Sequence, residues 1–197
     1  KFHTNYDHIY RVVSKNTYLG QEDRTRYAST SLRAGQVIQE SIAGIEGIAV
    51  IYRDFSGDLK FVEKTIPLSG MWANESFFEV FTFPMISGDP STALKSPYSI
   101  VLTEKSAKKL FGDTDPMGKT VSRRTDKGDQ EFVITGIMAD VPTFSHLKFD
   151  MLGSLSTREI TQKDNKYEMS WSNIWNAYVY LNLPKGTDLE NLQTNLN

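Results

Sequence analysis

The chain has 197 residues, with 22 basic and 24 acidic side chains, three histidines and no cysteine. This length allows one large domain or two small ones, with a substantial buried core. The formal net charge of −2 gives no sign of the basic surface typical of nucleic-acid binders, and the lack of cysteine excludes thiol catalysis, zinc–thiolate sites and iron–sulfur clusters. No stretch approaches the roughly 18 apolar residues of a membrane span, and the sequence shows no signal peptide.

The first third of the chain predicts strands around one helix. The predicted elements are a strand over 9–13, a helix over 32–42, a strand over 48–52 and a strand over 59–66. The polar run 14–30 between the first two predicts loop with some irregular strand. Ser31 is the expected N-cap of the helix. Turn residues at 56–58 predict a hairpin that joins the last two strands.

The rest of the chain is richer in aromatic residues and again mixes helices with strands. The predicted elements are helices over 74–81 and 104–111, and strands over 99–102, 119–122, 131–138, 146–155 and 171–183, with a turn over 125–129. Asn74 is the expected cap of the first helix, and Gly112 is expected to end the second. A polar connection is expected over 156–170. Together these elements predict an α+β fold in which helices pack on mixed sheets.

The end of the chain predicts one more helix. Leu189, Leu192 and Leu196 recur at spacings of three and four, which places them on one helical face. A natural C-terminus seldom stops within such a face. We therefore expect the sequence to be a piece of a longer protein.

Residues 112–120 resemble a phosphate-binding loop but do not match its pattern. Five residues separate Gly112 from Gly118 instead of four, and Pro116 removes a backbone donor that a phosphate cradle needs. Asp113 and Asp115 would repel phosphate. A calcium loop fails as well, because the positions that require acidic or amide ligands hold Met117 and Arg124. The segment is better explained as a connecting turn.

Two histidine-containing segments have the residue types of a site. His3, Asp7 and His8 could form a weak metal face, but solvated surface side chains explain them better. Ser145 beside His146 offers a nucleophile next to a base, yet adjacent residues of a strand point to opposite faces. We therefore expect neither a metal centre nor a hydrolytic site there.

Trp171 and Trp175 have the even spacing of residues on one strand face. They could form an apolar contact surface for a ligand. The strand continues on that face through Ala177, Val179 and Leu181, so a core position is the favoured interpretation. Residue chemistry alone supplies no good catalytic candidate, and no cofactor is expected.

Several spaced segments resemble MacB/FtsX-like ABC-transporter permeases, in the form abundant in Bacteroidetes. They include FFEVFTF at 77–83, GDP at 88–90, the turn over 111–119 and SHLKFD at 145–150, and Phe2-His3 with 7–12 resembles the stretch after the family's first membrane helix. The matching motif positions are Phe77, Phe78, Phe81, Phe83, Gly88, Asp89, Ala107, Leu110, Phe111, Gly112, Asp115, Pro116, Gly118, Gly136, Pro142, Ser145 and His146. The match is collinear over most of the chain.

The resemblance implies a noncatalytic domain on the periplasmic side of the bacterial inner membrane. It implies a porter-like subdomain over 1–73 and 147–197 and an inserted sabre-like subdomain over 74–146. The implied partners are the protein's own transmembrane helices, an ABC ATPase domain or subunit, a second permease copy in a homodimer or pair, and a periplasmic adaptor. The implied role is to couple cytoplasmic ATP hydrolysis to export or to periplasmic partners.

Two other functions stay open at this point. A free periplasmic ligand-binding protein would use the aromatic residues Trp72, Phe77, Phe78 and Phe81 as a pocket. An enzyme, such as a hydrolase, would need Ser145 within hydrogen-bond reach of a base.

Overall fold

The computed structural model describes residues 3–4, 6–18, 21–126 and 128–196, with 16–18 and 21–25 described by their backbone alone. The strands are β1 (Ile9–Arg11), β2 (Ser14–Tyr18), β3 (Gln21–Tyr27), β4 (Gly47–Arg53), β5 (Gly57–Phe61), β6 (Lys64–Leu68), β7 (Gly70–Ala73), β8 (Met85–Ser87), β9 (Ser99–Thr103), β10 (Thr120–Thr125), β11 (Gly128–Met138), β12 (Met151–Ser154) and β13 (Ala177–Asn182). The helices are α1 (Leu32–Ser41), α2 (Phe77–Val80), α3 (Glu104–Phe111), α4 (Leu155–Thr161) and α5 (Leu189–Leu196). Phe2, the predicted turn residue Lys127 and Asn197 lie outside the described residues.

Most strands join one mixed sheet in the order β1-β13-β4-β7-β12-β9-β11-β10-β5-β6, and β8 pairs with β11 beside this path. The pairs β7–β12 and β9–β11 are parallel and the other pairs of this sheet are antiparallel. The strands β2 and β3 form a separate hairpin. The predicted α+β fold with mixed pairing and helices packed on the sheet is confirmed.

Alternating side chains build a core on each face of the sheet. On β4, Val50 and Tyr52 belong to one cluster, whereas Ala49 and Ile51 belong to the other. The apolar sides of α1 and α3 cover the first face, and α2 covers the second. Any residue on a central strand therefore faces one of two distinct cores, as the period of two requires.

Two of the predicted helices begin and end as expected. The Ser31 hydroxyl accepts a hydrogen bond from the Ala34 amide at 3.0 Å, which caps α1. Thr103 accepts from the Ser106 amide at the start of α3. Gly112 ends α3 with a φ of +63°, which an L side chain rarely adopts.

The predicted hairpin between residues 48–52 and 59–66 is wrong. Asp54, at a φ of +98°, turns the chain away after β4, and the neighbours of β4 are β13 and β7. Residue Gly57 begins β5, which pairs with β6 around Val62 and Glu63. The turn chemistry at 56–58 therefore marks a change of direction within the sheet and not a hairpin.

Asn74 does not cap α2. Its side chain accepts from the Val50 amide at 2.9 Å and donates to the Ile48 carbonyl at 2.7 Å. It thus ties the end of β7 to β4, and α2 begins only at Phe77. An amide that satisfies two backbone groups of a neighbouring strand is not available to a helix terminus.

The predicted strands at 146–155 and 171–183 are both too long. Leu147 and Phe149 are buried with the alternation of a strand, but strand pairing begins only at Met151. The connection expected over 156–170 contains α4, which begins at Leu155. Residues 171–176 form local turns, and β13 begins at Ala177. The run 14–30, expected as loop with irregular strand, holds the hairpin β2–β3.

The two subdomains expected from the sequence would meet within this one sheet. Strands of 1–73 and 147–197 lie together as β1, β13, β4, β7 and β12, and β9, β11 and β10 of 74–146 continue the sheet. The hairpin β5–β6 precedes residue 74 in sequence but pairs with β10 at the far end. The division at 74 and 146 stays a prediction.

Candidate functional site

The family-motif residues are mainly buried packing and turn positions. Phe77, Phe81 and Phe83 lie within one aromatic cluster, with ring centroids of Phe77 and Phe81 5.2 Å apart. Gly88 has a φ of +92°, and a Cβ there would lie 2.5 Å from the Thr135 carbonyl oxygen. The requirement for glycine at this motif position is therefore steric.

The acidic motif residues hold their own turns. The Asp89 carboxylate accepts from the Ser91 amide at 2.8 Å and from its hydroxyl at 2.7 Å, and the Ser91 hydroxyl and amide lower the pKa of Asp89. Asp115 accepts from the Met117 amide at 3.0 Å. The Gly118 amide donates to the Ile134 carbonyl at 2.9 Å. In the turn that resembles a phosphate loop, this backbone donor is therefore already hydrogen-bonded within the protein.

The aromatic pocket expected for a ligand-binding protein is absent among the described residues that were expected to form it. Trp72 belongs to the core on one face of the sheet, whereas Phe77, Phe78 and Phe81 belong to the core on the other. All four side chains are at most 5% exposed. The rings are packing residues, and this alternative is not favoured.

Ser145 and His146 do not form a nucleophile–base pair in the described structure. The buried Ser145 hydroxyl accepts from the Leu147 amide at 3.2 Å. The Nε2 atom of His146 lies 3.0 Å from the Tyr180 hydroxyl instead.

The expectation that His3 is a solvated surface residue is wrong. The side chain is 9% exposed, and its ring centroid lies 5.2 Å from that of Phe81 and 4.8 Å from that of Phe83. Burial, with a smaller contribution from the charge of His146, lowers the pKa of His3 to about 4. His8 lies 3.5 Å from Asp7, and within the described part of the chain no three His, Asp or Glu side chains are grouped to hold a metal ion.

A cavity of about 440 Å³ lies where β1, β13 and the 144–146 segment meet. Its floor comes from Arg11 and Tyr180, which are directly opposite residues of paired strands and so lie on one face. Ile9, two residues before Arg11, lies on the same face and also lines it.

The remaining walls of this cavity are aromatic and polar. Phe81, Phe144 and Tyr6 supply rings, and the lining also contains His3, Ser145 and His146. The ring of Tyr180 packs against that of Phe81 with centroids 4.9 Å apart. Aromatic, aliphatic and polar groups thus contribute to the lining in similar measure.

The electrostatic character of the cavity is positive. Of the described residues that line it, none is acidic, and Arg11 carries a permanent charge. Burial lowers the pKa of His146, and the charge of Arg11 lowers it further. Burial raises the pKa of Tyr180, although Arg11 opposes that change. An anion is therefore the ligand charge that the lining suits.

A second feature is an exposed aromatic segment, which we define as residues 167–175. The favoured core position of its two tryptophans is wrong: Trp171 is 61% exposed and Trp175 is 52% exposed. Tyr167 and Met169 are exposed as well. The Trp175 ring makes an edge contact with Tyr27 at a centroid distance of 5.2 Å. Their role as a contact surface stays a prediction.

A buried ion pair fixes the base of the exposed aromatic segment. Arg158, on α4, donates through Nη2 to Glu168 at 3.1 Å and through Nε to the other carboxylate oxygen. Both residues are buried, and the guanidinium lies 3.8 Å from the centroid of the Tyr52 ring. The Nη1 atom also lies 3.4 Å from the carboxylate of Asp54. The segment is thereby anchored to β4, while its rings face outward.

Sequence reasoning missed Arg11, Tyr180, Arg158 and Glu168. Arg11 and Tyr180 are 169 positions apart in the numbering and meet only because β1 pairs with β13. Arg158 and Glu168 are separated by a spacing that no regular element brings together. An unusually placed arginine within a predicted strand was the only sequence signal at Arg11.

None of the helices within the described residues has the length and apolar character that a membrane span requires. A search of curated proteins gives no significant match. Among solved structures, a domain assigned to a permease protein from Porphyromonas gingivalis is similar with a TM-score of 0.79 and 22% identity, covering 99% of this chain and 81% of that one.

Two further structures are similar in fold. The periplasmic region of MacB from Actinobacillus actinomycetemcomitans has a TM-score of 0.63 and 16% identity, covering 96% of this chain and 80% of that one. The extracellular domain of the noncanonic ABC-type transporter YknZ from Gram-positive bacteria has a TM-score of 0.56 and 15% identity, covering 82% of this chain and 76% of that one. The family model of the MacB-like periplasmic core domain matches residues 1–197. The chain therefore belongs to the MacB-like periplasmic core domains, the noncatalytic periplasmic part of MacB-like ABC-transporter permeases.

Proposed function

We propose that this domain transmits conformational change from the membrane part of an ABC transporter to substrates or partners in the periplasm. The observation that supports this most directly is the path of the sheet. Its first strand β1 and last strand β13 are hydrogen-bonded neighbours at one edge, and the same sheet continues to β5 and β6 at the other. A continuous hydrogen-bonded sheet can carry a displacement from one edge to the other.

The proposal assigns the chemistry to other parts of the transporter. An ABC ATPase domain or subunit would hydrolyse ATP, and transmembrane helices of the same permease would pass its motion to this domain. We expect two permease copies to act together, and a periplasmic adaptor to contact the surface away from β1. The sabre-like subdomain over 74–146 would move with the hairpin β5–β6, because β5 pairs with β10.

The test is a distance measurement in the full-length transporter, reconstituted in lipid discs with its ATPase. A spin label at Val62→Cys would report on the far hairpin, because Val62 is 68% exposed between β5 and β6 and this chain has no cysteine of its own. We expect the distance between the labels of the two copies to differ between nucleotide-free and ATP-bound states. Identical distance distributions in both states would overturn the proposal.

A control pair within one domain separates transmission from internal rearrangement. Val62→Cys and Lys163→Cys, both exposed, would be labelled in the same copy, with the other copy unlabelled. Because both positions lie on elements attached to the same sheet, we expect this distance to be unchanged by nucleotide. A change only within the domain would argue for local rearrangement in place of transmission.

A further inference from the structure

We propose that the cavity at the β1–β13 edge binds a small monocarboxylate with an apolar body. This site would be additional to the transmission role, and its ligand is defined by the chemistry of the lining.

The size of the cavity suits a small organic molecule. Its volume of about 440 Å³ falls within the range of about 300 to 1,000 Å³ that small-ligand sites occupy. Its lining comes from His3 and Tyr6, from β1, from residues 144–146 and from β13, together with Phe81. Several elements that are distant in the sequence thus form this cavity, which is open to solvent.

The charge of the floor selects an anion. Arg11 contributes the permanent positive charge, and no acidic residue is among the described residues that line the cavity. The guanidinium is a planar fork of donors that matches the two oxygens of a carboxylate. A single guanidinium balances a single negative charge, so a monoanion fits better than a phosphate dianion.

Two neutral polar groups converge on the same region. The Tyr180 hydroxyl lies opposite Arg11 in the strand register, and it is held by the Nε2 atom of His146 at 3.0 Å. When the Nε2–H of His146 donates to the Tyr180 hydroxyl, that hydroxyl can donate its own hydrogen to a carboxylate. The Tyr180 hydroxyl is therefore expected to add to binding, with a smaller effect than Arg11.

The apolar side chains in the lining favour a ligand that carries an apolar body besides its carboxylate. Ile9, Phe81 and Phe144 line the cavity beside the polar floor. Acetate or formate would leave Ile9 and Phe144 exposed to water, whereas a phenyl or alkyl body would cover them. Aromatic acids and medium-chain fatty acids share this chemistry.

The test titrates the chain with 3-phenylpropionate and, separately, with octanoate, by calorimetry and by NMR. We expect saturable binding of one molecule per chain with a dissociation constant on the order of 1 mM or below, as for other ligands of about ten heavy atoms. The NMR shifts should map to Ile9, Ser145 and His146. The stronger of the two probes identifies an aromatic or an alkyl body as the preferred one.

The uncharged analogues test the role of charge. Because 3-phenylpropanol and 1-octanol keep the apolar body and lack the carboxylate, we expect them to bind at least about tenfold more weakly. Equal binding of alcohol and acid would overturn the assignment of an anion site. Absence of saturation by either acid at about 10 mM, tenfold above the expected constant, would overturn the site itself.

Variants locate the site. Arg11→Gln should weaken binding about tenfold or more, and Tyr180→Phe about two- to tenfold, because a charged hydrogen bond is worth more than a neutral one. Arg33→Gln is the matched control, since α1 covers the opposite face of the sheet, and it should bind like the unmodified chain. Unchanged affinity in Arg11→Gln, with an unchanged melting temperature, would overturn the proposal.

Discussion

Two aromatic regions of this domain differ in almost every physical respect. In residues 77–83 the four phenylalanines are at most 5% exposed, whereas in the exposed aromatic segment Tyr167, Trp171 and Trp175 are each at least 52% exposed. The first region packs against β4 and β13 and fills the core on one face of the sheet. The second is held by its backbone and by one buried ion pair. Aromatic content alone therefore does not distinguish a core from a surface.

The largest expected effect comes from the buried region. Phe77→Ala should lower the free energy of unfolding by about 3 to 5 kcal/mol, because it removes a fully buried ring and leaves a cavity. Denaturation by urea, followed by circular dichroism, measures this change. A loss below about 1 kcal/mol would mean that the cluster collapses around the missing ring and is not closely packed.

The ion pair beneath the exposed segment comes next. Glu168→Gln should cost about 2 to 4 kcal/mol, because it leaves the buried charge of Arg158 without its closest carboxylate. The double substitution Arg158→Met and Glu168→Leu should recover much of this loss, since an apolar pair carries no desolvation cost. Asp54→Asn is the control: that carboxylate is 74% exposed, so we expect a loss of at most about 1 kcal/mol.

Acid should weaken the buried region before the exposed one. Burial lowers the pKa of His3 to about 4, below the ordinary 6.5, so the unfolded chain takes up this proton first as the pH falls. The stability contributed by neutral His3 is therefore present above pH 6.5 and is lost as the pH falls towards about 4. We expect a loss of about 1 to 2 kcal/mol over this range, less than complete burial would give because the cavity is open to solvent.

The control for this pH dependence is a variant that cannot titrate at this position. His3→Phe should make the stability profile flatter between pH 6.5 and 4 when compared with the unmodified chain by urea denaturation. Trp171→Ala should leave the profile unchanged. If the profile of His3→Phe is equally steep, the titration of His3 does not control the stability of this region.

The smallest effects belong to the exposed segment. Trp171→Ala should change the free energy of unfolding by less than about 0.5 kcal/mol, and Trp175→Ala by up to about 1 kcal/mol because of its contact with Tyr27. Iodide should quench the fluorescence of both tryptophans, while Trp72, which is 4% exposed, should be protected. Protection of Trp171 or Trp175 in solution would show that the segment is covered, and the comparison between the regions would fail.

The predictions from the sequence succeeded where a local rule decides the structure. The cap at Ser31 and the stop at Gly112 depend on a few neighbouring residues, and both were predicted. The buried strand β9 was recognised from its own composition. Residues 112–120, interpreted as a connecting turn from their spacing and their proline, do form a turn between α3 and β10.

The predictions failed where two elements compete for the same residue. Asn74 has the chemistry of a helix cap, but it bonds the backbone of β4, which only the tertiary structure brings near. Trp171 and Trp175 have strand spacing, but residues 171–176 turn locally before β13 begins. The even spacing of the two tryptophans therefore does not indicate a strand, because residues 171–176 are not paired with one.

Motifs and short-range hydrogen bonds were enough to identify the family, the α+β class and the ends of the well-capped helices from the amino-acid sequence. The folded arrangement was needed to show that β1 pairs with β13, that Arg11 and Tyr180 share a cavity, and that the ordinary net charge of −2 includes a buried arginine–glutamate pair. The physical reason is that strand pairing joins residues far apart in the chain. Which residues meet across a sheet depends on the order of all its strands, and no local pattern records that order.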